Sequence, residues 1–296
     1  MLIMPVTKVA GFFMHAPLNV KIAKLFTGSQ TVTAIPKEER KMEKSLLQNV
    51  SENAGYVGGI LAIIAGLFVL AVIFEAVARK KNGETGKVFT TRKIVMCGMF
   101  AALSGVIMLF EIPMPFAPSF YKLDFSELPV LIGGFAYGPA AAVVMEFLKV
   151  LIKLVLKNTS TAFVGEFANF AVGCSLVLPA SIIYSMKKTK GTAVAALVSG
   201  TLIMTVFGTA FNALYLLPAF AALYGMPLEV ILNMGAEVNP LAAGGLVSFV
   251  IACVAPLNLI KGAADSVICL AVYKRLSPIF KSESKRIPEA KANSAE

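Results

Sequence analysis

The run GYVGGILAIIAGLFVLAVIFEAVA at residues 55–78 decides the class of fold, because it is long and almost continuously apolar. The hydrocarbon core of a bilayer is about 30 Å thick, and a helix needs about 20 apolar residues to cross it. Three basic residues, Arg79, Lys80 and Lys81, follow the run directly and provide the anchor expected on the cytoplasmic side. Residues 55–78 are therefore predicted to form a transmembrane helix.

The rest of the chain repeats this pattern, and the composition agrees with it. Hydrophobic residues make up 57% of the sequence and charged residues 15%, whereas soluble proteins have about 25% charged residues. The mean hydropathy is +0.77. A transmembrane β-barrel would show short segments of alternating polarity, which these long runs lack. We predict an all-α bundle of one leading helix and six more, formed by a short apolar stretch within 122–139 and by the runs 94–112, 140–156, 165–186, 192–217 and 246–276.

Prolines and changes in charge divide the chain into parts. Pro113, Pro115 and Pro118 end the helix at 94–112, because proline cannot continue the helical hydrogen bonds, and an irregular loop follows. Four parts are predicted: an N-terminal extension at 1–54, the extra transmembrane helix and a basic linker at 55–91, a six-helix membrane domain at 92–280 and a polar C-terminal tail at 281–296.

The distribution of basic residues predicts the orientation. The net charge is +10, but most Lys and Arg lie beside the ends of apolar runs, which indicates membrane topology rather than a nucleic-acid partner. They concentrate at 79–93, 187–190 and 274–286, whereas the loop 224–244 has two Glu and no basic residue. This pattern predicts a multi-pass protein of the cell membrane with both ends of the six-helix unit, including the C-terminus, in the cytoplasm. The leading helix agrees least well with this orientation. It would place residues 1–54 outside, although they contain basic residues of their own.

Small residues are spaced four apart in the helix at 94–112, as the pairs Gly98/Ala102 and Ala101/Gly105. Small side chains at this spacing allow a second helix to approach closely, because helices in lipid associate mainly through packing. The pattern indicates either a docking face for another membrane protein or ordinary internal packing.

Polar and ionisable residues within the apolar runs indicate a site. In the last run, APLNLIKGAAD places Asn258, Lys261 and Asp265 three and four residues apart, on one helix face. A charge at the centre of a membrane helix costs about 2.5–3.5 kcal/mol on insertion scales and is normally kept for function. Contact with a ligand is one explanation, and a Lys261–Asp265 pair that neutralises itself is the other.

Three further polar residues are candidates of the same kind. Asn212 offers amide donors and an acceptor to a heterocyclic ring, or else a hydrogen bond between helices. Glu166 and Asn169 lie three apart at the start of a helix, where a carboxylate is also favoured by the helix dipole. Four charged residues at spacings of three, four and four are interpreted mainly as a packed and partly paired interior face of one helix: Glu146, Lys149, Lys153 and Lys157.

The predicted outer loop, residues 121–127 (YKLDFSE), combines aromatic, apolar and polar side chains. A small-molecule pocket needs this mixture, although an ordinary surface loop can have the same composition.

At these residues the chain resembles the riboflavin-specific substrate-binding subunits, or S components, of energy-coupling factor (ECF) vitamin transporters. Four segments between about residues 92 and 280 carry the resemblance: KLDFSELPVLIGGFAYGP (122–139), VGEFANF (164–170), FNALYLLPAF (211–220) and NLIKGAAD (258–265). Residues 1–91 lie outside it, and the leading helix departs from the six helices usual in this family.

The resemblance implies a subunit that captures riboflavin from outside as its cargo, with no resident cofactor. It would dock with a transmembrane coupling subunit and two cytoplasmic ATPases, and the flavin would cross as the subunit topples in the membrane. By the matching motifs, Asn212, Asn258 and Lys261 would hydrogen-bond the flavin. Leu123 and Asp124 would belong to the loop that closes the pocket, and Glu166 and Asn169 would line the side of the pocket formed by the fourth helix of the unit.

Other functions are less consistent with the sequence. An enzyme would need chemistry that is missing: His15 is the only histidine, and the chain has no HExxH, GxSxG or GxxxxGK[ST] motif. The four cysteines, which fall singly within apolar runs, are expected to be small buried hydrophobic residues. A self-contained secondary transporter, with Lys261 and Asp265 as a proton relay, would show internal repeats, and none is evident. An S component for a different vitamin is the nearest alternative.

Overall fold

The computed structural model describes residues 54–83, 88–157 and 163–292. Within these ranges the chain is a bundle of α-helices, which confirms the predicted all-α membrane fold. The helices are α1 (Ala54–Lys81), α2 (Thr91–Ile107), α3 (Glu127–Tyr137), α4 (Pro139–Leu156), α5 (Val164–Met186), α6 (Lys190–Phe211), α7 (Leu217–Tyr224), α8 (Leu228–Val238), α9 (Leu246–Phe249) and α10 (Ala255–Ala292). The predicted N-terminal extension lies outside the described residues.

Two wide helical turns join helices that would otherwise be separate. A π-helical turn at Asn212–Leu216 links α6 to α7, and a second at Val250–Val254 links α9 to α10. Each is followed two residues later by a proline, Pro218 or Pro256. Proline cannot donate a backbone hydrogen bond and its ring crowds the preceding turn, so the wider turn lets the helix continue past it.

Within the described part of the chain, four continuous helices are long and apolar enough to cross a membrane: Leu61–Lys81, Val164–Met186, Lys190–Ala222 and Leu246–Tyr273. The remaining helices of the predicted six-helix unit are α2, α3 and α4. They are shorter than these four or contain more charged residues. α3 has 11 residues and covers about 16 Å along its axis. Its first residue, Glu127, is only 1% exposed, so α3 begins inside the protein and not at its surface.

The main core lies where α3 packs between α2, α4, α5 and α10. The stacked rings of Phe135 and Tyr184 have centroids 4.3 Å apart, and the hydroxyl groups of Tyr184 and Tyr273 are 3.0 Å apart. At the other end of the bundle, β1 (Ile112–Pro113) pairs antiparallel with β2 (Lys122–Leu123), with Ile112 opposite Leu123. This small hairpin carries the outer loop towards the start of α3.

Helix ends differ from the sequence prediction in two places. α2 ends at Ile107 and not at residue 112, because Pro113 would remove one helical hydrogen bond and crowd the carbonyl group four residues before it. α10 continues to Ala292, beyond the predicted end at residue 276 and into the predicted polar tail.

The two small-residue pairs of α2 face different ways. Ala101 and Gly105 are buried, and a Cβ atom added to Gly105 would meet Ile152 of α4 at 2.7 Å. Gly98 and Ala102 are exposed, and a Cβ atom at Gly98 would meet no atom within 4 Å. Ala101 and Gly105 therefore serve internal packing. Gly98 and Ala102 remain exposed and are available to a partner helix.

Gly138, between α3 and α4, is expected to be intolerant of a side chain. Its backbone has φ +92° and ψ 175°, and an added Cβ atom would lie 2.9 Å from Glu75 Oε2. We expect Gly138→Ala to lower the free energy of unfolding by about 1–3 kcal/mol, measured by denaturant unfolding in detergent. Gly191→Ala, in the first turn of α6 with open space around it, is the control and should cause no loss. Equal stability of the two variants would contradict the strain at Gly138.

Candidate functional site

The outer loop is held in one conformation by its own polar groups. Asp124 Oδ1 accepts a hydrogen bond from the backbone N–H of Ser126 at 2.9 Å, and Ser104 Oγ of α2 donates to the Ser126 carbonyl. Leu123, beside Asp124, is buried. These contacts fix the side chain of Asp124 and the first residue of α3, Glu127, at the same depth in the bundle.

Five charged side chains form a continuous buried chain, called here the ionic cluster: Asp124, Lys261, Glu127, Lys149 and Glu146. Lys261 Nζ lies 3.0 Å from Asp124 Oδ2 and 2.8 Å from Glu127 Oε2. Glu127 Oε1 lies 3.1 Å from Lys149 Nζ, which also pairs with Glu146. None of the five is more than 5% exposed. Lys261 thus joins the outer loop and α3 to α10, and Lys149 joins α3 to α4.

The self-neutralising Lys261–Asp265 pair considered from the sequence is wrong. Lys261 pairs with the loop and with α3, and both carboxylate oxygens of the fully buried Asp265 have no hydrogen-bond partner among the described residues. Pairing along the predicted stripe of residues 146–157 is confirmed, because Lys149 contacts Glu146, Lys153 contacts Glu166 at 3.5 Å and Lys157 contacts Glu111 at 3.4 Å. Lys157 is exposed, however, and does not lie on the interior face that the sequence predicts.

Two amide side chains meet beside the ionic cluster where the helices have their π-helical turns. Asn212 Oδ1 accepts a hydrogen bond from Tyr121 OH at 2.8 Å, and its Nδ2 donates to the carbonyl of Gly208 at 2.7 Å. Gly208 also lets Asn258 approach, since an added Cβ atom would lie 2.7 Å from Asn258 Nδ2. The outer loop is therefore tied to α6 through Tyr121 and to α10 through Asp124.

The start of α5 forms another wall of this region. Glu166 is buried and pairs with Lys153, so its carboxylate has a partner on α4. The ring of Phe167 packs edge-on against Phe211 and Tyr215, at centroid distances of 6.0 and 5.8 Å. This contact places Glu166 and its neighbours beside the π-helical turn that carries Asn212.

Two amide atoms of the region are buried without a hydrogen-bond partner among the described residues: Asn258 Nδ2, a donor, and Asn169 Oδ1, an acceptor. A buried polar atom that is left unpaired costs about 1–3 kcal/mol. A donor and an acceptor left unpaired in this way are available to a small molecule that brings its own hydrogen-bonding groups.

Outside the spanning helices, Glu111 forms an exposed rim to the site. Lys122 Nζ lies 2.9 Å and Lys157 Nζ 3.4 Å from the same carboxylate oxygen of Glu111, Oε2. Partial burial by itself would raise the pKa of Glu111, but the two ammonium groups outweigh it and the pKa is below its ordinary value. The rim is therefore charged and paired at neutral pH.

The structure brings the predicted site residues together in pairs. Asp124 and Lys261 are in direct contact, and Asn212 and Asn258 both lie against Gly208. Glu166 and Asn169 lie on the α5 wall, with no recorded contact to these four. The sequence analysis did not assign Glu127, Lys149 or Tyr121 to the site. Tyr121 and Glu127 are the first and last residues of the loop that it singled out, although it gave neither of them a specific role, and it interpreted Lys149 as part of a packed interior face.

Fold and site together define a polytopic membrane protein with a cluster of charged and amide side chains buried among its helices. A family model described as "ECF transporter, substrate-specific component" matches residues 92–273, more than half of the chain. The chain belongs to this family.

Individual relatives agree with the family match. The chain is 30% identical over 203 residues to a protein of Staphylococcus aureus (strain TCH60) named riboflavin transporter RibU, covering 69% of this chain and 97% of that one. It is 29% identical to the riboflavin transporter FmnP of Bacillus subtilis (strain 168), covering 63% and 93%. The solved S component of a bacterial ECF transporter is 28% identical, with a TM-score of 0.50 over 64% of this chain and 98% of that one.

The pairs made by Lys261 should contribute far more to stability than pairs at the rim. We expect Lys261→Met to lower the free energy of unfolding by about 3–5 kcal/mol, because Asp124 and Glu127 would lose a buried counter-ion. Lys122→Met, which removes an exposed partner of Glu111, should cost about 1 kcal/mol or less. Both are measured by denaturant unfolding in detergent, and similar losses would show that the ionic cluster is solvated in the protein.

Proposed function

We propose that this chain is the subunit that captures riboflavin for an ECF importer. The observation that carries the proposal is the pocket region itself, in which Lys261, Asn258 and Asn212 converge under a loop held by Asp124 and Tyr121. These are the residues on which the sequence resembles riboflavin-specific S components. The relatives named riboflavin transporters match almost their whole length to the same part of the chain.

The chemistry of riboflavin suits this inventory. The flavin is uncharged and has an aromatic ring system, an imide edge that both donates and accepts, and a hydroxylated tail. The unpaired Asn258 Nδ2 offers a donor and Asn169 Oδ1 an acceptor, while Phe167, Phe211 and Tyr215 offer aromatic surface. In this proposal Leu123 and Asp124 close the pocket, and Glu166 and Asn169 line its α5 side.

The energy source in this proposal is a separate module. A transmembrane coupling subunit would bind α2 at the exposed Gly98/Ala102 pair, where small side chains allow a close helix contact. Two cytoplasmic ATPase subunits would drive the cycle, since the chain has no phosphate-binding loop of its own. The basic residues near the helix ends support a cytoplasmic C-terminus and a pocket that opens outward. No catalytic role is proposed.

Riboflavin binding to purified protein, followed by quenching of flavin fluorescence, tests the site. We expect stoichiometric binding by the wild type, and a Kd at least about tenfold higher for Asn258→Ala, which loses a buried hydrogen bond to the ligand. The double variant Asn258→Ala/Lys261→Ala should show no binding. Asn233→Ala, on the exposed side of α8, is the matched control and should bind as the wild type. A folded protein that binds another vitamin but not riboflavin would overturn the proposed substrate.

The proposed docking face is tested by replacing its two small residues with leucine. We expect Gly98→Leu/Ala102→Leu to prevent co-purification of the coupling subunit and to reduce uptake by at least about tenfold, because a bulky side chain keeps the helices apart. Riboflavin binding should be unchanged. Ala195→Leu, at an exposed small residue of α6, is the control and should not affect uptake. Normal co-purification of the filled variant would place the docking face elsewhere.

A further inference from the structure

The leading helix α1 carries a buried carboxylate although it lies outside the family match, which begins at residue 92. Glu75 is 4% exposed and is located in the apolar run of α1. An ionisable residue in a transmembrane helix is costly and is normally kept for function. What Glu75 contacts therefore indicates what α1 does.

Glu75 bridges two elements of the six-helix unit. Its Oε1 pairs with Lys93 Nζ in the first turn of α2, and its Oε2 accepts a hydrogen bond from the backbone N–H of Ala140 at 3.0 Å. Ala140 is in the first turn of α4, where backbone N–H groups have no acceptor within their own helix. The helix dipole also favours a carboxylate at this position. One side chain thus satisfies a buried cation and a helix N-terminus.

Apolar contacts of α1 lie on the same side of the helix. Ala71 and Ala78 are buried, and Leu67 and Phe68 pack partly buried into an apolar cluster with α4 and α5. Phe68 contacts Phe147 of α4 edge-on at a centroid distance of 5.8 Å. Lipid tails are as apolar as these side chains, so apolar contacts alone give little hydrophobic drive for association. The polar contacts of Glu75 are what lipid cannot replace.

A second polar contact acts at the same end of α1. Asn82 Nδ2, just after the helix, donates a hydrogen bond to the carbonyl of Ser185 near the end of α5 at 3.0 Å. The start of α2, the start of α4 and the end of α5 therefore form one receiving face, which we call the α1 face: Lys93, Ala140, Phe147 and Ser185.

We propose that α1 is an in-chain partner helix of the transporter core, which docks on the α1 face with Glu75 as the residue that recognises it. The α1 face is then occupied by the chain itself. A separate membrane subunit that binds this core must use another face. This inference does not depend on which ligand the pocket binds.

Cleavage of the linker in the full-length protein tests the proposal. A protease site is placed between Gly83 and Val88, the C-terminus carries an affinity tag, and the chain is cut after purification in detergent. We expect the fragment with α1 to remain bound to the tagged core in the wild type. Glu75→Ala should reduce the retained fraction at least about tenfold, because Lys93 and the Ala140 N–H lose their partner. Glu75→Gln keeps an acceptor for the Ala140 N–H but loses the charge, so its retained fraction should lie between those of the wild type and Glu75→Ala.

Matched controls separate recognition from a general loss of structure. Glu229→Ala removes an exposed carboxylate of α8 and should leave retention unchanged. In membranes, a Phe68→Cys/Phe147→Cys pair should cross-link, and the added Glu75→Ala should slow this at least about tenfold. A Thr201→Cys/Ser266→Cys pair between α6 and α10, whose hydroxyl groups are 3.0 Å apart, reports on the core and should cross-link at the same rate with and without Glu75. Full retention and full cross-linking without Glu75 would overturn the proposal, whether or not the protein binds riboflavin.

Discussion

The two ion pairs made by Lys261 are the interaction on which the rest of the site depends. Lys261 holds Asp124 of the outer loop at 3.0 Å and Glu127 of α3 at 2.8 Å. A bilayer offers no water to replace these partners, so the loop, α3 and α10 cannot separate without exposing unpaired charges. The pair geometry also explains why α3 is short. Its first residue must reach Lys261 in the interior, and it therefore starts below the surface of the bundle.

Both π-helical turns contact the segment between α2 and α3. The first carries Asn212, which accepts a hydrogen bond from Tyr121 OH. The second carries Cys253, whose Sγ atom lies 3.4 Å from the carbonyl oxygen of Phe116. Wide turns inside helices occur often at functional sites. Here they allow proline to follow directly in each helix, so side chains can be turned towards the loop while the helix continues across the membrane.

Sequence reasoning predicted the helical bundle, because long apolar runs and basic flanks follow directly from the physics of the bilayer. It also found Lys261 and Asn258, since polar residues in such runs are conspicuous. It did not find the partner of Lys261. Asp265 was the nearest carboxylate along the helix, whereas Asp124 and Glu127 are more than 130 positions away in the chain. Spacing on a helix indicates which side chains share a face, but only the packing of helices decides which charges meet. The same limit applies to Gly98 and Ala101, which are equivalent in pattern and face opposite environments.

The hairpin of α3 and α4 connects the two buried anchors of the molecule. Glu127 begins α3 beside Lys261, and Tyr137 ends it one residue before Gly138, over which Glu75 of α1 lies. α4 then returns from Ala140, capped by Glu75, to Lys149 in the ionic cluster. A displacement of α3 along its axis would therefore strain carboxylate contacts at both of its ends. Gly138, in the turn between the two helices, lies against Glu75. Glu75 and Lys261 therefore hold opposite ends of the α3–α4 hairpin, which is why the polar contacts of α1 and those of the ionic cluster act on the same pair of helices.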